Sequence, residues 1–168
     1  LSYNRNLQRF IYNDPTVGNQ QQAGNSPLGQ WAHLALTINS SNQGRMYVNG
    51  VLVRQFTTSN VWIPNGGRAS IGQEYDGAAT SQHFNGCMDE VRIWNTALTQ
   101  TTIQDNFNNS CGSIDPNHPN INNLISYYSF NEGSGTFIYD RSGNDNHGVY
   151  NGVTWGLPIN NNYGCFAQ

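Results

Sequence analysis

Apolar and polar positions alternate over short stretches of this chain, and turn-forming residues break the alternation every few positions. The clearest case is WAHLALTIN, Trp31 to Asn39. Side chains alternate across an extended strand, so Trp31, His33, Ala35 and Thr37 share one face, and Ala32, Leu34, Leu36 and Ile38 the other. Arg45–Val48 and Val51–Phe56 read as two strands joined by Asn49-Gly50, a pair suited to a two-residue hairpin turn with positive φ at both positions. Residues 1–12 read as a strand or hairpin, with Leu1, Tyr3, Leu7, Phe10 and Tyr12 spaced by polar residues. Arg68–Gly72, Cys87–Trp94, Leu124–Phe130, Phe137–Tyr139 and Val149–Trp155 read as further strands. Residues 13–29, 57–67 and 140–148 are rich in turn-formers and read as loops. So does the oxygen-rich stretch with Gln73, Glu74, Asp76, Ser81 and Gln82, held between two strands. One helix is predicted over Thr96–Asn108, capped by Thr96 or Thr99, with Leu98, Ile103 and Phe107 roughly on one side. Many short strands and one short helix predict an all-β antiparallel sandwich.

Composition narrows the class of protein. Only 10% of the 168 residues are charged, and the polarity comes from Asn, Gln, Ser, Thr and Gly. All seven basic residues are Arg and the formal net charge is −3, which leaves no basic patch for a nucleic-acid backbone. No apolar run reaches membrane-spanning length and no signal peptide is seen. The chain begins with Leu1 rather than Met, which reads as a processed product or an excised segment. Neutral amides with 12% aromatics suit a loop-rich extracellular β-protein better than a disordered chain. Three cysteines, Cys87, Cys111 and Cys165, show no zinc-ligand spacing. They fit either one disulfide plus an odd thiol or three buried thiols.

WAHLALTINSSNQGRMYVNGVLV and IGQEYDGAATSQHFNGCMDEVRIWNTAL resemble the central and closing strands of laminin-G-like and pentraxin-like domains of the concanavalin A type. LISYYSFNEGSGTFIYDRSGNDNHGVYNGVTW resembles the opening strands of such a domain. The resemblance implies an antiparallel jelly-roll sandwich, with its closing part placed before its opening part. Residues 1–111 would then be the C-terminal portion of one sandwich, 112–120 a linker, and 121–168 the first strands of a next or permuted one. Strands of the family between the opening segment and residue 1 are missing, so a neighbouring segment or a second copy is expected to complete the sandwich.

The same resemblance implies a calcium loop formed by Glu74, the Tyr75 carbonyl, Asp76 and Gln82. Calcium takes oxygen ligands of this kind, six to eight in number, and the earlier loop that contributes others in pentraxins is not evident here. A second, weaker candidate is Asp140 with Asn144, where an ordinary Asx-type turn competes. The resemblance also implies a disulfide between Cys87 and Cys111, closing a loop worth about 3 kcal/mol. Asp89 and Glu90 are adjacent, so on a strand they face opposite ways and make a poor glycosidase pair; Glu90 is expected to pair with Arg92 or a buried polar group. His33, by its place in the family pattern, reads as a core or interface residue. Trp62, Tyr75 and Trp155 lie in or beside loops where they could stack on sugar rings. Asn39-Ser40-Ser41 and Asn108-Asn109-Ser110 fit the N-glycosylation pattern.

These readings favour a non-catalytic, extracellular or cell-surface module that binds glycan or protein surfaces, with calcium as the expected ion. The alternative is a structural repeat of a filament or adhesin whose partner is its own copy. A glucanase-like enzyme is the least favoured, and neither nucleic acid nor membrane insertion is expected.

Overall fold

The computed structural model describes residues 2–4, 6–13, 20–25, 29–58, 69–76, 79–81, 83–109, 114–150, 152 and 155. Its first sheet contains β1 (Ser2–Asn4), β2 (Arg9–Asn13) and β3 (Gln20–Asn25) in antiparallel order. The second contains β4 (Leu34–Ile38), β5 (Gln43–Val48) and β6 (Val51–Thr57). Strand β3 falls inside the stretch expected to be a loop. Its QQQAGN sequence carries no apolar alternation, and what holds it is the ladder to β2, with Phe10 opposite Ala23 and Ile11 opposite Gln22. Gln21 Oε1 also accepts from the Nε and Nη2 of Arg54 on β6, at 3.3 and 3.1 Å.

The turn between β5 and β6 is Asn49-Gly50, with φ of 51° and 74°. Asparagine and glycine are the residues that tolerate this conformation, so the dipeptide sets the register of both strands. One face of the second sheet carries Leu36, Ile38, Met46 and Phe56, and closes on Tyr12, Ala23 and Phe10 of the first. Met46 is 2% exposed, and the rings of Tyr12 and Phe56 stack at 5.2 Å. This is the inter-sheet core expected of a sandwich.

The opposite face is covered in part by α1 (Gln100–Asn108). Thr99 caps it, its Oγ1 accepting from the Thr102 amide at 3.1 Å. Leu98 and Ile103 pack on Tyr47, with Ala35, Leu52 and Trp94 around them.

Next come the hairpin β7 (Glu74–Asp76) and β8 (Ala79–Ser81), then β9 (Val91–Trp94). After a 3₁₀ turn at Ile121–Asn123 follow β10 (Leu124–Tyr128), β11 (Phe137–Ile138) and β12 (Gly148–Val149). Strand β10 pairs antiparallel with β9, with Tyr127 opposite Arg92 and Tyr128 opposite Val91. The segment expected to open a sandwich thus lies against the segment expected to close one.

The loop 140–146 covers the free edge of β10 with side chains. Asn144 Nδ2 donates to the carbonyls of Leu124 and Ile125 at 2.8 and 3.1 Å, and Ser142 Oγ and Asn146 Nδ2 donate to Ile125 as well. Asp140 Oδ1 accepts from the Tyr127 amide at 2.8 Å, and the Arg141 amide donates back to the Tyr127 carbonyl at 2.7 Å. A short polar loop therefore satisfies backbone groups that an open edge would leave for another strand.

Candidate functional site

Strand register places three rungs of side chains on the α1 side of the second sheet. Ala35, Tyr47 and Leu52 are directly opposite one another and form an apolar rung beneath α1. One step along, Thr37, Arg45 and Gln55 are opposite one another and form a polar rung. Beyond it Gln43 stands opposite Thr57, and the Asn39 amide donates to the Gln43 carbonyl at 3.1 Å. The helix covers the first rung and stops short of the other two. What remains is a cleft of about 450 Å³ between the sheet and the start of α1.

Tyr47 and Leu98, 2% and 8% exposed, supply its apolar floor. Its rim is neutral and polar: Asn39, Gln43, Gln55, Thr99 and Gln100. Asn39 Oδ1 accepts from the amides of Ser41 and Gln43 at 3.0 and 2.9 Å, and its Nδ2 donates to Gln43 Oε1 at 3.2 Å. These bonds fix the 39–43 turn and leave the Gln43 amide hydrogens available at the rim. No lining residue is acidic. Arg45 is half-buried, and among the described residues its guanidinium has no hydrogen-bond or ion-pair partner. A neutral polar rim over an apolar floor is the chemistry of a small polar ligand's pocket, and the volume is in the usual range for one.

A second polar cluster sits where β9 meets β10. Arg92 Nη2 reaches Glu90 Oε2 at 2.6 Å, and the Tyr127 hydroxyl donates to both Glu90 oxygens at 3.0 and 2.8 Å. The Arg92 guanidinium lies 5.0 Å from the centre of the Tyr127 ring. Burial raises the pKa of Glu90, against the opposing pull of Tyr127 and Arg92. Burial likewise raises Asp89, whose carboxylate accepts from the Glu90 amide at 2.9 Å. Burial, with the hydrogen bond and negative charge of Glu90, pushes Tyr127 up to about 12. Burial and then the charge of Arg92 bring His33 down to about 4. Glu90 sits at φ 54°, a left-handed conformation costly for a non-glycine residue, and the bonds on both its oxygens hold it there. The cluster ties two strands together through Glu90, both of whose carboxylate oxygens are engaged. Glu90 pairs with Arg92, as its sequence position led one to expect.

The residues singled out in the sequence separate into groups. Glu74, Tyr75 and Asp76 lie in β7, a hairpin strand where a loop was expected. Gln82 and Trp62 lie outside the described residues. Among the described residues no group of three or more His, Cys, Asp or Glu is gathered for a metal ion. Asp140 is 6% exposed and its two oxygens receive four donors: the Tyr127 and Ser142 amides, the Ser142 hydroxyl and the Asn146 amide. Burial alone would raise its pKa, but those hydrogen bonds outweigh it and hold the carboxyl below its ordinary value. Asn144 is turned by its amide toward the β10 carbonyls. The expected Cys87–Cys111 bond is not found: Cys87 carries a free, exposed thiol, and Cys111, like Cys165, lies outside the described residues. Trp155 donates its indole N–H to the Tyr150 hydroxyl at 2.9 Å and is half-buried rather than an open platform. Sequence reasoning missed Arg45 and Gln55. The signal was available in part: Thr37 follows Ala35 on the face already read from the WAHLALTIN alternation, and a polar residue there marks a change in the chemistry of that face.

The family model described as the concanavalin A-like lectin/glucanases superfamily matches residues 3–104, more than half of the chain. The chain belongs to this superfamily. The sandwich core and the hairpins of the first two sheets fall within the matched part. A crystal structure of a candidate carbohydrate binding protein from Bacteroides ovatus ATCC 8483 is similar to this superfamily member at 25% identity, with a TM-score of 0.63. The similarity covers 82% of this chain and 39% of that one, so the chain spans about two fifths of the relative's length. An S-layer domain-containing protein from Clostridium thermocellum ATCC 27405 is similar at 22% identity, covering 53% of this chain and 45% of that one, with a TM-score of 0.44. None of the curated proteins matches the superfamily member. Among its described residues no helix is long and apolar enough to cross a membrane.

Proposed function

We propose that this superfamily member is a non-catalytic, extracellular carbohydrate-binding module, and that its saccharide site is the cleft between the second sheet and α1. The observation that carries this reading is the register of the three rungs. It sets side-chain amides, a hydroxyl and a guanidinium beside an apolar floor, in a cavity of about 450 Å³. Sugar hydroxyls both donate and accept; the Gln55 amide offers both functions, and the Gln43 amide hydrogens are further donors. The apolar underside of a sugar ring suits a floor of Tyr47 and Leu98. The Bacteroides ovatus relative supports the class of ligand. The neutral, amide-rich composition supports an extracellular setting.

Glycan-array binding followed by calorimetry tests this. Gln55→Ala is expected to weaken the bound saccharide by roughly tenfold, the effect of one or two polar contacts. Gln22→Ala, on the first sheet, is expected to leave affinity unchanged. Equal affinity of Gln55→Ala and the parent protein would place the site elsewhere.

Calcium is a separate part of the proposal, supported by the GQEYD pattern. Glu74, the Tyr75 carbonyl, Asp76 and Gln82 would contribute oxygens to an ion that orders the β7–β8 hairpin. Calcium titration by calorimetry should give binding that is lost in Glu74→Ala and Asp76→Ala, and a flat titration of the parent protein would reject it.

A further inference from the structure

The chain is acidic overall, yet among the described residues no carboxylate lines the cleft and its one arginine has no pairing partner. Arg45 is flanked in register by Thr37 and Gln55, both neutral, and lies over a face whose next rung is the buried Tyr47. The contrast within the molecule is informative. Arg54, on the opposite face of the same sheet, is bonded to Gln21. Arg9 donates to Gln22, Arg92 pairs with Glu90, and Arg141 lies 3.8 Å from Glu132. Arg45 thus keeps its guanidinium donors unengaged among the described residues, free to meet an anion in the cleft.

From this we infer that the cleft selects an acidic saccharide, one that presents a single carboxylate or sulfate group to Arg45 while its hydroxyls bind Gln43 and Gln55. This rests on the carbohydrate reading and narrows it to a chemical class. The planar guanidinium can take either oxyanion through two parallel N–H donors. The cleft is also lined by Thr99 and Gln100 at the start of α1, the positive end of the helix dipole, which favours the same sign of charge.

The test is an array of matched saccharides, in which each backbone is printed as its uronate, its methyl ester and a sulfated form with neutral sugars. Calorimetry on the best-bound set follows. The uronate or the sulfated member is expected to bind roughly 10- to 100-fold more tightly than its neutral match, the scale of one charge-assisted contact. The ratio between the two anionic arms identifies which oxyanion is read. Arg45→Gln should bring the anionic member down to the level of its neutral match. Arg54→Gln, which removes the same charge from the other face, should leave the preference intact. Thermal unfolding of both variants confirms that they are folded. Equal binding of charged and neutral members overturns the Arg45 inference and leaves the carbohydrate reading standing. So does a preference for anions that survives in Arg45→Gln. Absence of binding to every member, neutral and charged, overturns both.

Discussion

Removing the Asp140 carboxylate should destabilise the fold more than any other single change in the loop 140–146. The carboxylate is 6% exposed and divides its work between two oxygens. Oδ1 takes the amides of Tyr127 and Ser142, at 2.8 and 2.9 Å, and Oδ2 takes the Ser142 hydroxyl and the Asn146 amide, at 2.8 and 3.0 Å. Tyr127 is 4% exposed, so its amide has no water to turn to, and leaving it unpaired costs about 1–3 kcal/mol. The other donors are nearer solvent and each contributes about 0.5–1 kcal/mol net. Asp140→Ala should therefore cost about 2.5–6 kcal/mol, a large share of a domain's typical ~5–15 kcal/mol. Asp140→Asn keeps one acceptor oxygen for Tyr127 and Ser142, and should cost about 1–3 kcal/mol. The depressed pKa adds a pH signature. The contribution is complete above the unfolded carboxyl's value and is lost as pH falls through the lower folded value. Urea denaturation from neutral pH down to pH ~3 should show a steeper acid decline in the parent protein than in Asp140→Asn. Equal midpoints for Asp140→Ala and the parent, or identical acid limbs for Asp140→Asn and the parent, would refute the reasoning.

Three further outcomes are expected. His33, held down to about 4, should show an unchanged imidazole NMR signal from neutral pH to near that value; stability should fall as pH drops from 6.5 toward it, because only the unfolded chain takes the proton, and His33→Gln should lack that decline. Gly44→Ala should cost about 1–3 kcal/mol in a denaturation curve, since the added methyl would fall within the Phe56 ring, whereas a neutral result would mean that the ring moves freely. Cys87 should be alkylated in the folded protein by an impermeant maleimide under non-reducing conditions, and protection of that residue, seen by mass spectrometry, would restore the bond to Cys111.

What the sequence disclosed was mostly local. Asn49-Gly50 announced the β5–β6 hairpin because the turn's positive φ values select those two residues. Thr99 announced the start of α1 because a hydroxyl at that position satisfies a free amide. The shared face of Ala35 and Thr37 followed from the pleat alone. The misses were features that depend on distant partners. QQQAGN is a strand because β2 and Arg54 receive it, and nothing in its own pattern says so. Glu74–Asp76 extends because Ala79–Ser81 pairs with it. Asp140 and Asn144 also reach backbone groups of β10, 13 and 20 positions earlier, which no local pattern names. The cleft was hidden for the same reason: Thr37, Arg45 and Gln55 become neighbours only once two registers are fixed.

The pairing of β9 with β10 also has a mechanical consequence. Tension along the chain enters β9 through Glu90 and leaves β10 through Ser129, and these two points lie at the same end of the ladder, beside Val91 and Tyr128. Such loading separates an antiparallel pair one rung after another instead of shearing all rungs at once. The second rung under load is Arg92 with Tyr127, where the Glu90 carboxylate, the Arg92 guanidinium and the Asp140 bond to the Tyr127 amide all converge. The seam is weakest in its geometry where the side chains fasten it most densely, so it would peel only after that fastening is broken.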